Sequence, residues 1–235
     1  LMLFGVRNRY LYSAANRFVV CVLKFSNWSC AMRVEYKNRM KDHDINDVRV
    51  VDMKSHLPGR DDCTGCGVCE AVCSQHAIKL RPDEEGFLRP EIDVSQCSSC
   101  GGCVESCPVL KDYSARRPRI SLLVRAPDSI RLRCSSGGIS YVVGRKFVCA
   151  GGGFVGAVWS VDRVTHECIF SVDELDRVCG SKYVQSDITA MYSRIQHLLV
   201  DKRNVCFVGT PCQVVGLKNF LKEDKGGGRI LPVPH

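Results

Sequence analysis

The sequence predicts a small α+β module followed by an α/β domain, and two observations carry that prediction. Cys63, Cys66, Cys69 and Cys73 are spaced C-x2-C-x2-C-x3-C. Cys97, Cys100, Cys103 and Cys107 repeat the spacing, with Pro108 directly after. Further along, short apolar runs alternate with helix-period patterns, the rhythm of an α/β domain. The first observation places an α+β, ferredoxin-like module at 61–110, and the second an α/β domain at 118–224.

The doubled spacing is that of two-cluster bacterial ferredoxins. Three closely spaced thiolates wrap three corners of one cubane, and the fourth cysteine opens a short helix that points elsewhere. In this pattern the fourth cysteine of each run completes the other cluster. The expected ligand sets are therefore Cys63, Cys66, Cys69 and Cys107 for one [4Fe-4S] cluster, and Cys97, Cys100, Cys103 and Cys73 for the other. Gly65, Gly67, Gly101 and Gly102 let the backbone turn tightly and aim N–H groups at sulfur. Ser74 stands where the usual pattern has proline, which loosens the loop exit and removes no ligand. Zinc is the competing reading of paired C-x2-C units, but it favours two separated pairs. Here a third cysteine follows each pair at once. Disulfides require an oxidising compartment, and no cleavable signal peptide is visible. Phe18–Leu23 is too short to span a membrane.

Composition fits a soluble cytoplasmic protein, which is the expected location. The chain has 235 residues, 45% hydrophobic and 25% charged, enough for a small module and one larger domain. Its sixteen cysteines are many for a reducing compartment, and the two runs explain eight. The formal charge of +8 counts thiols as neutral. Two thiolate-bound clusters would carry about −2 each when oxidised, so the loaded protein is less basic than the sequence suggests. Basic residues are scattered apart from ARRPR at 115–119, which reads as a solvated linker. No nucleic-acid partner is expected.

Residues 1–60 have no clean period and are expected to form a poorly defined extension, with much of 1–52 poorly ordered or translated from upstream. The chain opens on Leu1, and Met32, Met40 and Met53 are candidate starts. Within the module, Ile78–Leu80 and Phe87–Ile92 read as strands around a DEEG turn. KDYSARRPR reads as a connector. Then follow a strand at Ile120–Val124 and a helix at Gly138–Ala150 with Ile139, Val142, Val143 and Phe147 on one face. Strands are expected at Phe154–Trp159, Thr165–Phe170 and Val205–Val208, and helices at Ala190–Val200 and 211–222. Residues 225–235 read as a truncated tail.

Three junctions of the second domain hold candidate chemistry. In CSSGGIS (134–140), two serines and two glycines open an apolar helix. That makes an anion cradle, or ordinary serine capping. In GSKYVQS (180–186), Lys182 and Tyr183 would bind a phosphate and stack on a ring, or simply lie in an exposed loop. In VCFVGTPCQ (205–213), Thr210 suits the N-cap and Pro211 the first helical position. Cys212 then lies in the first turn, where the helix dipole favours thiolate; the plainer reading is a small packed cysteine.

CSSGGISYVV, GSKYVQSDI and FVGTPCQVVGLKNF, with the doubled cysteine run, resemble the coenzyme F-420 hydrogenase/dehydrogenase beta subunit family. The likeness is to its bacterial members with an N-terminal two-cluster ferredoxin domain, and it covers about 63–221. The resemblance implies an iron–sulfur flavoprotein oxidoreductase with bound FAD. Such a protein passes electrons between two clusters and the flavin, then to a hydride carrier or partner protein. It implies flavin-side roles for Ser135, Ser136, Gly137, Gly138, Lys182, Tyr183, Thr210 and Pro211. Cys134 and Cys212 match family cysteines that are either further cluster ligands or redox thiols. The family's C-terminal domain does not follow in this sequence. The alternatives are an electron carrier whose second domain only docks a partner, and a fragment that folds its cysteine-rich module alone.

Overall fold

The computed structural model describes residues 57–111 and 124–221, with three short strands nearer the N-terminus: β1 (Met2–Phe4), β2 (Tyr10–Ser13) and β3 (Val19–Leu23). The rest of 1–52, the connector at 112–119, most of the strand expected at 120–124 and the tail at 225–235 lie outside the described residues.

The cysteine-rich module is built twice from one device. Helix α1 (Val68–Ala71) starts after Gly67 at φ 79°, and α2 (Gly102–Ser106) starts after Gly101 at φ 76°. Each glycine stands two residues before the third cysteine of its run, and its left-handed backbone folds the run back on itself. Between the helices, β4 (Ile78–Pro82) pairs antiparallel with β5 (Leu88–Ile92). Asp83 closes the hairpin: its carboxylate accepts the N–H groups of Glu85 and Phe87 at 3.0 and 2.9 Å. Cys69, Ile78 and Cys103 form the module's own small core.

The second unit is a mixed sheet with helices against it. Its elements are α3 (Asp128–Arg131), α4 (Ile139–Cys149), β6 (Gly153–Trp159), β7 (Val164–Ile169), a 3-10 helix at Val172–Val178, β8 (Ser186–Asp187), α5 (Thr189–Val200), β9 (Val205–Gly209) and α6 (Pro211–Phe220). The strand order is β1-β2-β3-β9-β6-β7-β8. β9 runs parallel to β6 and antiparallel to β3, while β7 runs antiparallel to β6 and parallel to β8. Side chains alternate across the sheet. Val155, Val205 and Phe207 face a core shared with α5 and α6, and Phe154, Ile169 and Cys206 face a second core under α4.

The first core also takes in Cys66 and Val68 of the cysteine-rich module. The two units therefore share apolar packing as well as a chain.

One sequence expectation is corrected here. Helix α4 buries Ile139, Tyr141, Gly144 and Val148, while Val142 is 38% exposed. The contact line runs through Gly144, where a Cβ would come within 3.0 Å of the Phe154 ring and 3.1 Å of Leu175. Ile139, Val143 and Phe147 do pack in this core, so of the expected face only Val142 is displaced, and hydrophobic periodicity does not register the glycine.

Candidate metal centre and its surroundings

Cys63, Cys66, Cys69 and Cys107 line one cavity, together with Leu80, Pro90 and Val109. Cys66, Cys69 and Cys107 are buried and Cys63 is half-buried. Burial pushes the Cys66 thiol up to about 12; the Val68 N–H opposes the rise, and Cys212 and Cys107 add to it. Burial also raises Cys69, with Cys66, Cys63 and Cys107 contributing, and raises Cys107, with Cys63 contributing. Thiols in such a place ionise only against a cation, so metal loading would release their protons. Cys103 is likewise raised by burial and lies within electrostatic reach of Cys100 and Cys73. In that second set Cys100 is exposed, and Cys73 and Cys97 are half-buried.

The structure thus brings Cys107 beside Cys63, Cys66 and Cys69, and Cys73 within electrostatic reach of Cys103. Among the described residues, no three His, Cys, Asp or Glu side chains converge on the position of a single ion. Four thiols spaced around a cavity fit a polynuclear cluster better than one tetrahedral zinc.

Charged groups hold the loop that carries the inner set. Arg89 donates through Nη1 to the Cys63 carbonyl and through Nε to Asp83 at 3.2 Å. Asp83 also pairs with Arg60 at 3.4 Å. Partial burial would raise the Asp83 carboxyl, but the Phe87 N–H and Arg89 outweigh it and hold the group below its ordinary value. Glu70 accepts the Leu80 N–H at 2.7 Å, which locks α1 to the hairpin.

The α/β unit forms one wall around the inner set. Tyr192 is fully buried and its hydroxyl donates to the Cys66 carbonyl at 2.7 Å. Asn219 donates to the Ser106 carbonyl at 2.8 Å. A Cβ at Gly216 on α6 would come within 3.6 Å of the Cys66 sulfur and 2.8 Å of the Tyr192 hydroxyl. A Cβ at Gly67 would come within 2.8 Å of the Thr189 hydroxyl on α5. Cys212 sits in the first turn of α6, with Thr210 as N-cap, Pro211 after it, and the Thr210 hydroxyl 3.1 Å from the Cys212 sulfur. Cys212 packs against the core that contains Cys66, whereas Cys134 packs against the core on the other face of the sheet.

The three junctions are joined through GSKYVQS. Ser181 meets Ser135 with hydroxyls 2.9 Å apart. Ser186 accepts from Gln213 of TPCQ, at 3.2 Å through its carbonyl and 3.1 Å through its hydroxyl. Gln185 between them reaches the cysteine-rich module, donating to the Thr64 carbonyl at 3.1 Å and accepting the Leu88 N–H at 2.6 Å.

Lys182 donates to the carbonyls of Cys179 and Arg177, at 2.8 and 3.2 Å, and burial lowers its pKa. Tyr183 is 87% exposed. Ser135 is exposed and Ser136 half-buried, at the start of α4, whose N-cap Gly138 has no side-chain cap. The glycines there face their own chain: a Cβ at Gly137 would come within 3.2 Å of the Val124 carbonyl, and one at Gly138 within 3.0 Å of Ala126.

Sequence reasoning missed Gln185, Tyr192, Gly216 and Cys179. The first two act through backbone carbonyls, and such partners leave no motif.

A family model described as a 4Fe-4S dicluster domain matches residues 62–110. That stretch holds all eight cysteines of the two runs. Iron–sulfur electron transfer is the chemistry such a domain serves. The chain is similar to the uncharacterized protein MJ1349 of Methanocaldococcus jannaschii, 24% identical over 209 residues, or 73% of this chain and 56% of that protein. It is also similar to one subunit of the Na(+)-translocating ferredoxin:NAD(+) oxidoreductase complex of Acetobacterium woodii, 47% identical over 49 residues, or 21% of this chain and 14% of that protein. A third relative is the polyferredoxin protein MvhB of Methanothermus fervidus, 40% identical over 52 residues, or 21% of this chain and 10% of that protein. The chain spans little more than half the length of the first of these and a small part of the other two. Among the described residues no helix is long and apolar enough to cross a membrane.

Proposed function

We propose that the chain is an oxidoreductase of the coenzyme F-420 hydrogenase/dehydrogenase beta-subunit type. In this reading it passes electrons between two [4Fe-4S] clusters and FAD, and onward to a hydride carrier or a partner protein. The observation that carries the reading is the place of GSKYVQS. Its seven residues touch the cysteine-rich module, the SSGG turn and the TPCQ helix at once. A second domain that served only to dock a partner would not need these three stretches joined.

The residues fit the groups assigned to them. The inner set is Cys63, Cys66, Cys69 and Cys107, and the outer set is Cys97, Cys100, Cys103 and Cys73. Backbone N–H groups of Val68, Glu70 and Val109 reach the sulfurs of Cys66, Cys69 and Cys107, and Arg89 holds the same loop through the Cys63 carbonyl. On the flavin side, the uncapped start of α4 presents N–H groups to an anion, beside the exposed hydroxyl of Ser135. Lys182 keeps one donor beyond the two it gives to carbonyls, and the Tyr183 ring is open to stacking. Bound clusters supply single electrons, and a flavin converts single electrons into a two-electron, hydride-type transfer. Thr210 and Pro211 start the helix in which Cys212 packs against the core holding Cys66 and Gln213 bonds to Ser186.

Anaerobic purification of the full chain, with iron, sulfide and flavin counted per chain, tests the proposal. About eight iron and about one flavin per chain are expected. About eight iron with no flavin at any added concentration would leave the electron-carrier reading and remove the flavoprotein one.

A further inference from the structure

Cys134 and Cys179 lie outside both cluster sets, and their sulfurs are 3.7 Å apart. Both are half-buried, and together they belong to the core under α4, on the face of the sheet away from the clusters. Their segments are held in register on both sides. Arg133 donates to both carboxylate oxygens of Asp176, at 2.9 and 2.8 Å, and Ser135 meets Ser181 at 2.9 Å. Three successive residues, 133 to 135, thus face 176, 179 and 181, with the two thiols in the middle. Among the described residues no third His, Cys, Asp or Glu side chain joins them.

We propose that Cys134 and Cys179 form a reversible dithiol–disulfide site. The sulfurs need to approach by about 1.7 Å to reach bonding distance, while the flanking ion pair and hydroxyl contact already hold the segments together. Cys179 donates to the Leu175 carbonyl at 3.5 Å and accepts from Cys134. Burial, and then the neighbouring Cys134, raise its pKa. The Cys179 thiol is engaged by the Leu175 carbonyl, which leaves Cys134 as the attacking sulfur and Cys179 as the resolving one. The oxidant is a small external disulfide. Cys134, its proton lost to solvent, attacks one sulfur of that disulfide, forms a mixed disulfide and releases one small thiolate. Cys179, deprotonated in turn, displaces the second small thiolate and closes the 134–179 bond. Two protein thiols lose two electrons and two protons, and the small disulfide gains both as two thiols. The bond would tie the turn before α4 to the stretch that leads into GSKYVQS. It depends neither on the flavin nor on the clusters.

The test uses the full chain, prepared without oxygen and equilibrated in buffers of graded reduced and oxidised glutathione. Free thiols are then alkylated and peptides mapped by mass. The expected result is a linked 134–179 peptide that appears as the buffer becomes oxidising, while exposed Cys149 is still alkylated and cluster absorbance is intact. Dithiothreitol should return it to two thiols. Cys134→Ser and Cys179→Ser should each abolish the linked peptide and leave the partner cysteine free to alkylate. The proposal is overturned if both cysteines alkylate at every ratio, or if either pairs with another cysteine. It is also overturned if the link forms only where Cys149 oxidises too.

Discussion

Tyr192→Phe is the sharpest probe of how the cysteine-rich module meets the sheet. The ring of Tyr192 is fully buried and packs against Phe220 with centroids 5.3 Å apart, and phenylalanine keeps that packing. Only the hydroxyl is lost, and with it the 2.7 Å bond to the Cys66 carbonyl. Leaving a buried acceptor without its donor costs about 1–3 kcal/mol. In a chain of this size each kcal/mol moves a melting midpoint by about 2–4 °C, so a fall of about 2–12 °C is expected. The assay is an anaerobic melt followed by circular dichroism and by cluster absorbance in the same sample. Both signals should move together, because Cys66 and Val68 share a core with α5 and α6. An unmoved midpoint, or cluster loss that shifts while the sheet does not, would refute the docking of the cluster loop on Tyr192.

Cys107→Ser should lower iron from about eight to about four per chain. Electron paramagnetic resonance of the reduced protein should then lose the signal assigned to Cys63, Cys66 and Cys69 and keep the other; loss of the other signal would sink the crossed assignment. Ser135→Asp adds a negative charge at the start of α4 without the crowding that any side chain at Gly138 would meet. It should weaken flavin binding at least about tenfold with clusters retained, and unchanged flavin content would show that the cradle lies elsewhere. His166 donates through Nε2 to the Val208 carbonyl at 3.0 Å, and its Nδ1 has no partner among the described residues. Burial lowers its pKa from 6.5 to about 4, so the unfolded chain takes the proton first. Stability is intact above pH 6.5 and falls by about 3 kcal/mol as pH drops towards 4. His166→Gln should flatten that slope in denaturant titrations, and parallel slopes for the two proteins would refute it.

The cysteine spacing was legible because a cluster dictates its ligands locally, and the glycines at 67 and 101 repeat the same turn. The strands over 153–159 and 205–209 were legible because each is a compact apolar run, whereas 164–169, VTHECI, is a more polar segment paired to the first of them. The docking between the units was not legible. Gln185, Tyr192 and Asn219 bond to carbonyls 121, 126 and 113 residues away, respectively. A backbone carbonyl looks the same in every residue, so no pattern marks its partner. Gly144 and Gly216 escaped for a related reason. They matter for the Phe154 ring and the Cys66 sulfur that come close to them, and an absent side chain has no hydrophobic signal. The Cys134–Cys179 pair was half visible: Cys134 drew attention beside SSGG, but nothing local connected it to a cysteine 45 residues on.

The two cysteine sets have the same spacing and different surroundings, and the difference bears on why the units are fused. The outer set is nearer the surface, with Cys100 exposed, Cys73 and Cys97 half-buried and only Cys103 buried. The inner set is walled by the second unit, which supplies the Tyr192 hydroxyl, the Gln185 amide and the close flank of α6 at Gly216. Hydrogen bonding and solvent exposure set the potential of a cluster as much as its ligands do. Identical spacings in these two settings therefore need not give equal potentials. Cutting the module out at residue 111 would uncover Cys66 and Val68, which are 7% and 1% exposed, and leave the Cys66 carbonyl without Tyr192. A free-standing carrier would gain nothing from that dependence. The proposed transfer from a surface centre inward to a second cofactor would use that dependence, because the wall that steadies the inner set is also the element through which TPCQ and GSKYVQS meet.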